Sequence, residues 1–259
     1  MQKKHLPLGD ERRNAMTITA PLLKARAKEY VATYYDERLR REGFVPSDRN
    51  ALCWYRVIDK QVVNTVCFFT RFSRPPVTIQ MGYGTHPLFL KPYMPEGVYI
   101  YNLDVDRELF AQQTMFVGGT FHARASGILG YFAIGDEQSD NCVFSQMGRV
   151  RTIEDCYRLH KNTYLGYTHY PVERRFNMAT GSFIDEAIYM NDPEVIPYCQ
   201  KRVVQLLEMY KGRSPEKLNW AKQQYRALFE DGRDAYMTVL KEREQETIKW
   251  LREKLGIIV

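Results

Sequence analysis

Two hydrophobic rhythms divide the chain. Between Ala51 and Gly84 apolar residues come in dense runs or at every second position, and through most of the remainder they return at three and four. Side chains alternate faces along a strand and recur every three to four residues along a helix, so the first rhythm predicts strands and the second helices. Residues Ala51 to Ile58 and Gln61 to Phe72 are rich in Val, Ile, Phe, Tyr, Trp and Thr, the residue types that fit a pleated surface. Asp59-Lys60 is the turn between them. The second run is apolar on both faces, with Val62, Val66 and Phe68 on one and Val63, Cys67 and Phe69 on the other. This predicts a central strand covered on both sides. After Pro75-Pro76, a third strand alternates from Val77 to Tyr83, and Val98 to Val105 reads as a fourth.

The helical rhythm starts near Pro21, which suits a first turn, and runs to Glu42, with Gly43 as the stop. Gly127 to Gly135 reads as a further strand or short buried segment. Thr152 followed by Asp155 predicts a capped helix to about Leu165. Ser182 to Met190 is a short helix. Asp192, with Pro193 behind it, starts a helix closed by Gly212; Ser214 with Pro215 starts another; Arg233 to Leu255, stopped by Gly256, is the last. In that last helix Lys241 to Thr247 (KEREQET) is entirely polar, which predicts a middle exposed on all sides between two packed ends. The apolar tail Ile257 to Val259 is then a docking strip, on this chain or on a partner.

These elements predict an α+β fold: an antiparallel sheet of four to six strands packed by an N-terminal helix, followed by a mainly helical C-terminal region. The expected division is residues 17–190 for the sheet domain and 191–259 for helices packed on it or extending from it. At 259 residues, 44% hydrophobic and 26% charged, the composition is that of a soluble globular protein. No apolar run is long enough to span a bilayer and no secretion signal is read at the N-terminus, so a cytoplasmic location is expected. The five cysteines are odd in number and without CxxC spacing, which predicts reduced thiols. The net charge of +6 is spread among acids rather than gathered in an arm.

A helix ending LRREGF (Leu39 to Phe44), then WYRV, VCFFTRFS, VTIQMGYG and HPLF, and later MGRVRTIEDCYRLHKNTYL, resembles a family of uncharacterised bacterial domains, a domain of unknown function. The resemblance covers about residues 23–190. It implies an antiparallel sheet with flanking helices and brings no activity or catalytic residues.

Candidate chemistry is sparse. Cys156 and His160, four apart on one helix, have spacing for two metal ligands, for which His122, Cys142 or His169 would have to complete the set. Asp104 and Asp106 form an acidic strand end of the kind that holds magnesium in phosphoryl transfer. Gly118 to Arg124 offers glycines, His122 and Arg124 for an anion. Walker, dinucleotide, GxSxG and HExxH patterns are missing from the sequence, so no cofactor is expected. The 18 tyrosines include Tyr55-Arg56, Tyr157-Arg158 and Tyr225-Arg226, pairs that suit nucleic acid or a protein interface. The leading expectation is a binding protein without catalysis, with protein as its partner, nucleic acid as a second possibility, and no membrane. The alternatives are an enzyme acting on a phosphate-bearing substrate through Asp104, Asp106, His122 and Arg124, and a nucleic-acid binder using a basic, tyrosine-rich surface.

Overall fold

The structure is a computed structural model that describes residues 25, 28–29, 31–47, 50–71, 78–90, 114–116, 120–122, 131–133, 144–145, 147–166, 171–176 and 180–259. Its centre is a five-stranded antiparallel sheet in the order β1-β2-β3-β4-β5, formed by Val45–Ser47, Asn50–Ile58, Val62–Arg71, Thr78–Pro87 and Thr114–Phe116. The doubly apolar run is β3, and it is the middle strand. Asp59 and Lys60 turn the chain with both φ values positive, at 48° and 57°, the twist that a tight hairpin requires. A separate hairpin pairs β6 (Thr120–His122) with β7 (Tyr131–Ala133). The fourth strand expected over 98–105 lies outside the described residues.

Both faces of the sheet are covered, which accounts for the apolar residues on both sides of β3. On one face, Phe68 packs against Tyr35, just ahead of helix α1 (Asp36–Arg41), the two rings tilted with centroids 4.9 Å apart. Val62 on this face packs with Val150 and with Cys156 of α2 (Ile153–Gly166). A polar row crosses the same face. With its amide turned to suit its neighbours, Asn64 accepts from Arg56 Nε at 3.1 Å and donates to Thr85 Oγ1 at 3.0 Å. On the other face, Cys53, Tyr55 and Val63 pack with Leu251 and Leu255.

The helices follow the sequence closely, with two corrections. The start of α2 is reciprocal: Asp155 N–H donates to Thr152 Oγ1 and Thr152 N–H to the Asp155 carboxylate, both at 3.1 Å. After α3 (Val172–Phe176) come α4 (Gly181–Met190), α5 (Ile196–Tyr210), α6 (Pro215–Phe229) and α7 (Gly232–Leu255). Ser214 caps α6 as expected. Asp192 does not cap α5. Its side chain accepts from Glu194 N–H at 2.9 Å in a local turn, and the helix begins three residues later than the proline at 193 suggests.

The middle of α7 is not exposed on all sides. Arg243 and Thr247 turn inward there. The tail turns back through Gly256 at φ +65°, with Ile257 N–H donating to the Leu251 carbonyl at 3.1 Å. Ile257 and Val259 then pack on the sheet side of this chain, while Ile258 is exposed.

Candidate active site

Helix α4 reads GSFIDEAIYM, and its apolar residues Phe183, Ile184, Ala187 and Ile188 are all buried. The acids between them are buried as well: Asp185 and Glu186 both have no exposed surface. A buried carboxylate is costly unless its charge is met and its oxygens are hydrogen-bonded, and each of these two is met in a different way.

Asp185 faces α6 and α7. Its carboxylate accepts from Tyr236 Oη at 2.5 Å, Gln224 Nε2 at 2.6 Å, Arg243 Nη1 at 2.8 Å and Trp220 Nε1 at 2.9 Å. Arg243 also donates to Gln223 Oε1 at 2.6 Å, and its guanidinium lies over the rings of Trp220 and Tyr236. Burial lifts the Asp185 carboxyl above the usual range against the pull of Arg243 and the neutral donors. Burial works against the Arg243 charge, but Asp185 outweighs it and the guanidinium is held more firmly charged.

Glu186 faces α2. Its carboxylate oxygens sit 2.7 and 3.0 Å from His160 Nδ1. Burial alone would lower the His160 pKa, but the Glu186 charge and hydrogen bond, helped by the Thr85 backbone, raise it overall. The contact therefore favours the charged imidazole over the neutral one, relative to a free histidine. His160 keeps 21% of its side chain in contact with solvent, whereas Glu186 keeps none. On β4 the adjacent His86 is driven the other way, down to about 4, by burial first and then by the charge of His160, against the favourable contact with the Pro87 carbonyl. Two neighbouring imidazoles are thus shifted in opposite directions.

A third contact binds α2 to the end of α4. Asp192 accepts from Lys161 Nζ at 2.6 Å and Tyr157 Oη at 2.7 Å, and Lys161 also reaches Glu194 at 3.0 Å. Burial raises the Asp192 carboxyl, but these donors outweigh it and hold it below the usual range. Tyr157, His160 and Lys161 therefore present one side of α2 to α4 and the turn after it.

Of the residues singled out in the sequence, Asp104, Asp106 and Arg124 lie outside the described residues, as do Cys142 and His169. His122 ends β6 opposite Tyr131. Cys156 and His160 do share a helix, but they serve different partners. Cys156 Sγ is buried 3.6 Å from Thr85 Oγ1, its thiol pushed well up by burial and by Glu186; such a thiol is a poor metal ligand or nucleophile. Among the described residues no group of three or more His, Cys, Asp or Glu side chains could hold a metal ion, and no helix is long and apolar enough to cross a membrane. The rings of Tyr55 and Tyr157 are buried, so those two Tyr-Arg pairs offer no stacking face; in the third, Tyr225 is half-buried against Phe229 beside an exposed Arg226.

The expectation of a binding protein with no catalytic constellation, more a non-enzyme than an enzyme, is overturned. His160, Asp185, Asp192 and Arg243 are ionisable groups with shifted proton affinities, gathered about one short helix. Active sites are where such groups collect, and the enzyme alternative fits them better. A signal was present: two consecutive acids inside an apolar helix on both sides of which the neighbours are core residues. No family model, curated protein or solved structure matches the chain.

Proposed function

We propose that the protein is an enzyme acting on a phosphate-bearing substrate, with His160 as general acid and Glu186 as the group that keeps it protonated. The observation that carries this reading is the 2.7 Å contact between a wholly buried Glu186 and an imidazole that still reaches solvent. A charged imidazole that reaches solvent is both an anion ligand and a proton donor. In the step envisaged, His160 gives its proton to the leaving oxygen as the O–P bond breaks. Water adds to phosphorus and its lost proton restores the imidazolium. The positive balance of the chain, +6, favours the approach of an anion. The residues expected from the sequence to hold the phosphate are Asp104, Asp106, His122 and Arg124, and of these Asp104, Asp106 and Arg124 lie outside the described residues.

The test is turnover of p-nitrophenyl phosphate, bis(p-nitrophenyl) phosphate and nucleoside triphosphates, with and without magnesium, by wild type, His160→Gln and Glu186→Gln. General acid catalysis contributes about 10²–10⁴-fold, so a folded His160→Gln should lose that much. Equal turnover by wild type and a folded His160→Gln, or no turnover of any of these esters, overturns the reading.

A further inference from the structure

Asp185 and Glu186 are consecutive, so their side chains leave α4 about 100° apart. The first meets α6 and α7, the second meets α2. Helix α7 holds α4 at two places. Near its start, Arg233 donates to the carbonyls of Ile188 at 3.2 Å and Tyr189 at 2.7 Å. Farther along, Arg243 and Tyr236 hold the Asp185 carboxylate at 2.8 and 2.5 Å, joined by Trp220 and Gln224 of α6. The far end of α7 is anchored on the sheet through Leu251 and Leu255.

These contacts fix something that apolar packing does not. Burial of Phe183, Ile184 and Ile188 is favourable but has no direction, whereas four hydrogen bonds on one carboxylate define the rotation of α4 about its own axis. A glutamate carboxylate lies about 7 Å from its helix axis, so a rotation of about 15° swings it by about 2 Å. That is enough to carry the His160 contact from 2.7 Å out of hydrogen-bond range.

We propose that Asp185 and Arg243 are positioning residues for the His160–Glu186 pair, aiming Glu186 at the imidazole by locking the rotation of α4. The inference rests on the reading of His160 as the acid. It places control of the reacting imidazole on the side of α4 away from it, in a residue of α7 that touches neither partner of the pair.

The experiment is titration of the His160 imidazole by nuclear magnetic resonance in the full chain, with no substrate needed. The ionisable groups facing His160 are Glu186 from α4 and His86 from β4; Cys156 on its own helix is held neutral. Those facing Asp185 are Arg243 and Tyr236. Replacing Arg243 with Gln removes a positive charge, which by electrostatics alone would raise the His160 midpoint. Loss of aim lowers it, by about one unit for a neighbouring charge moved out of contact. The expected result is a fall in Arg243→Gln, recovery of most of it in Arg243→Lys, and no change in Leu39→Ala, a core truncation in α1 that is remote in sequence. Should Arg243→Gln not fold, Trp220→Phe removes one donor, keeps a ring, and should give a smaller fall. An unchanged or raised midpoint in folded Arg243→Gln or Trp220→Phe overturns the proposal, as does an equal fall in Leu39→Ala. None of these outcomes touches the acid assignment, which stands or falls on turnover by His160→Gln.

Discussion

The two carboxylates of α4 occupy adjacent positions with the same burial and do different work. Asp185 is neutralised by a guanidinium, a cation that does not give up its proton under any condition the folded chain meets. Three neutral donors complete its shell, and no solvent reaches it. Glu186 is neutralised by an imidazole, whose charge changes within the physiological range, and that imidazole is partly wet. The partner, rather than the buried acid, decides whether the pair is a fixed joint or a chemical group. The region of α6 and α7 around Asp185 is a joint; the region of α2 and β4 around Glu186 is where a proton can move.

The largest effect should come from opening the joint. Arg243→Met leaves Asp185 buried with neutral donors only, and removing one partner of a buried pair costs about 3–5 kcal/mol. Burial already raises the Asp185 carboxyl, so it takes up a proton more readily folded than unfolded. The variant should therefore recover stability as pH falls, because protonation removes the uncompensated charge. Urea unfolding at several pH values measures both. A loss below about 1 kcal/mol would mean that Asp185 is not charged in the native protein, and the contrast between the two acids would go.

Glu186→Gln should cost less, about 1–3 kcal/mol as for hydrogen bonds to charged groups, and its cost should depend on pH in the opposite sense to a fixed joint. The folded pKa of His160 is raised above its ordinary value of 6.5. Its contribution is thus complete below 6.5 and is lost as pH rises through the folded midpoint. Wild type and Glu186→Gln should differ most in mildly acidic solution and converge on the alkaline side. A difference that stays constant with pH would show that His160 does not titrate against Glu186.

The sequence carried the sheet and the helix ends better than it carried this contrast. Strands β2 to β4, the reciprocal cap at Thr152 and the stops at Gly43 and Gly256 each rest on local signals: alternation, a hydroxyl with an acid three residues on, a glycine at positive φ. The joint rests on side chains up to 58 residues apart, which no local pattern encodes. Arg243 was hidden because KEREQET looks uniformly polar. Yet Tyr236, Leu240, Arg243, Thr247 and Leu251 are spaced by four, three, four and four, one continuous face of a helix. Read with that spacing, the arginine falls on the buried stripe and asks for a buried acid. The helix FIDEAIY, apolar except for two acids, is where one was to be found.

A milder change bears on the Glu186 side alone. Thr152→Ala removes the hydroxyl that accepts from Asp155 N–H at the start of α2, and loss of such a cap costs about 1 kcal/mol. His160 lies two turns farther along and keeps its bond to Glu186, so the imidazole midpoint should hold while thermal stability drops. Movement of the midpoint with the cap would mean that α2, and not α4, sets the pair.

The smallest effect is expected at Lys161, and it separates a tie between helices from the proton site. Lys161 Nζ reaches Asp192 at 2.6 Å and Glu194 at 3.0 Å, with about a fifth of its side chain exposed. Solvent screens such a pair, so Lys161→Gln should cost about 0.2–1 kcal/mol, and Tyr157 still donates to Asp192 at 2.7 Å. The pH signature again identifies the group. Asp192 is held below its ordinary carboxyl range, so its contribution is present above the unfolded value and lost as pH falls through the folded one. Removing Lys161 should flatten that acid limb and leave the titration of His160 as it was. If Lys161→Gln instead shifts the His160 titration, then Lys161 belongs to the His160 pair electrostatically, and the division between a fixed joint and a single titrating centre would have to be redrawn to include both His160 and Lys161.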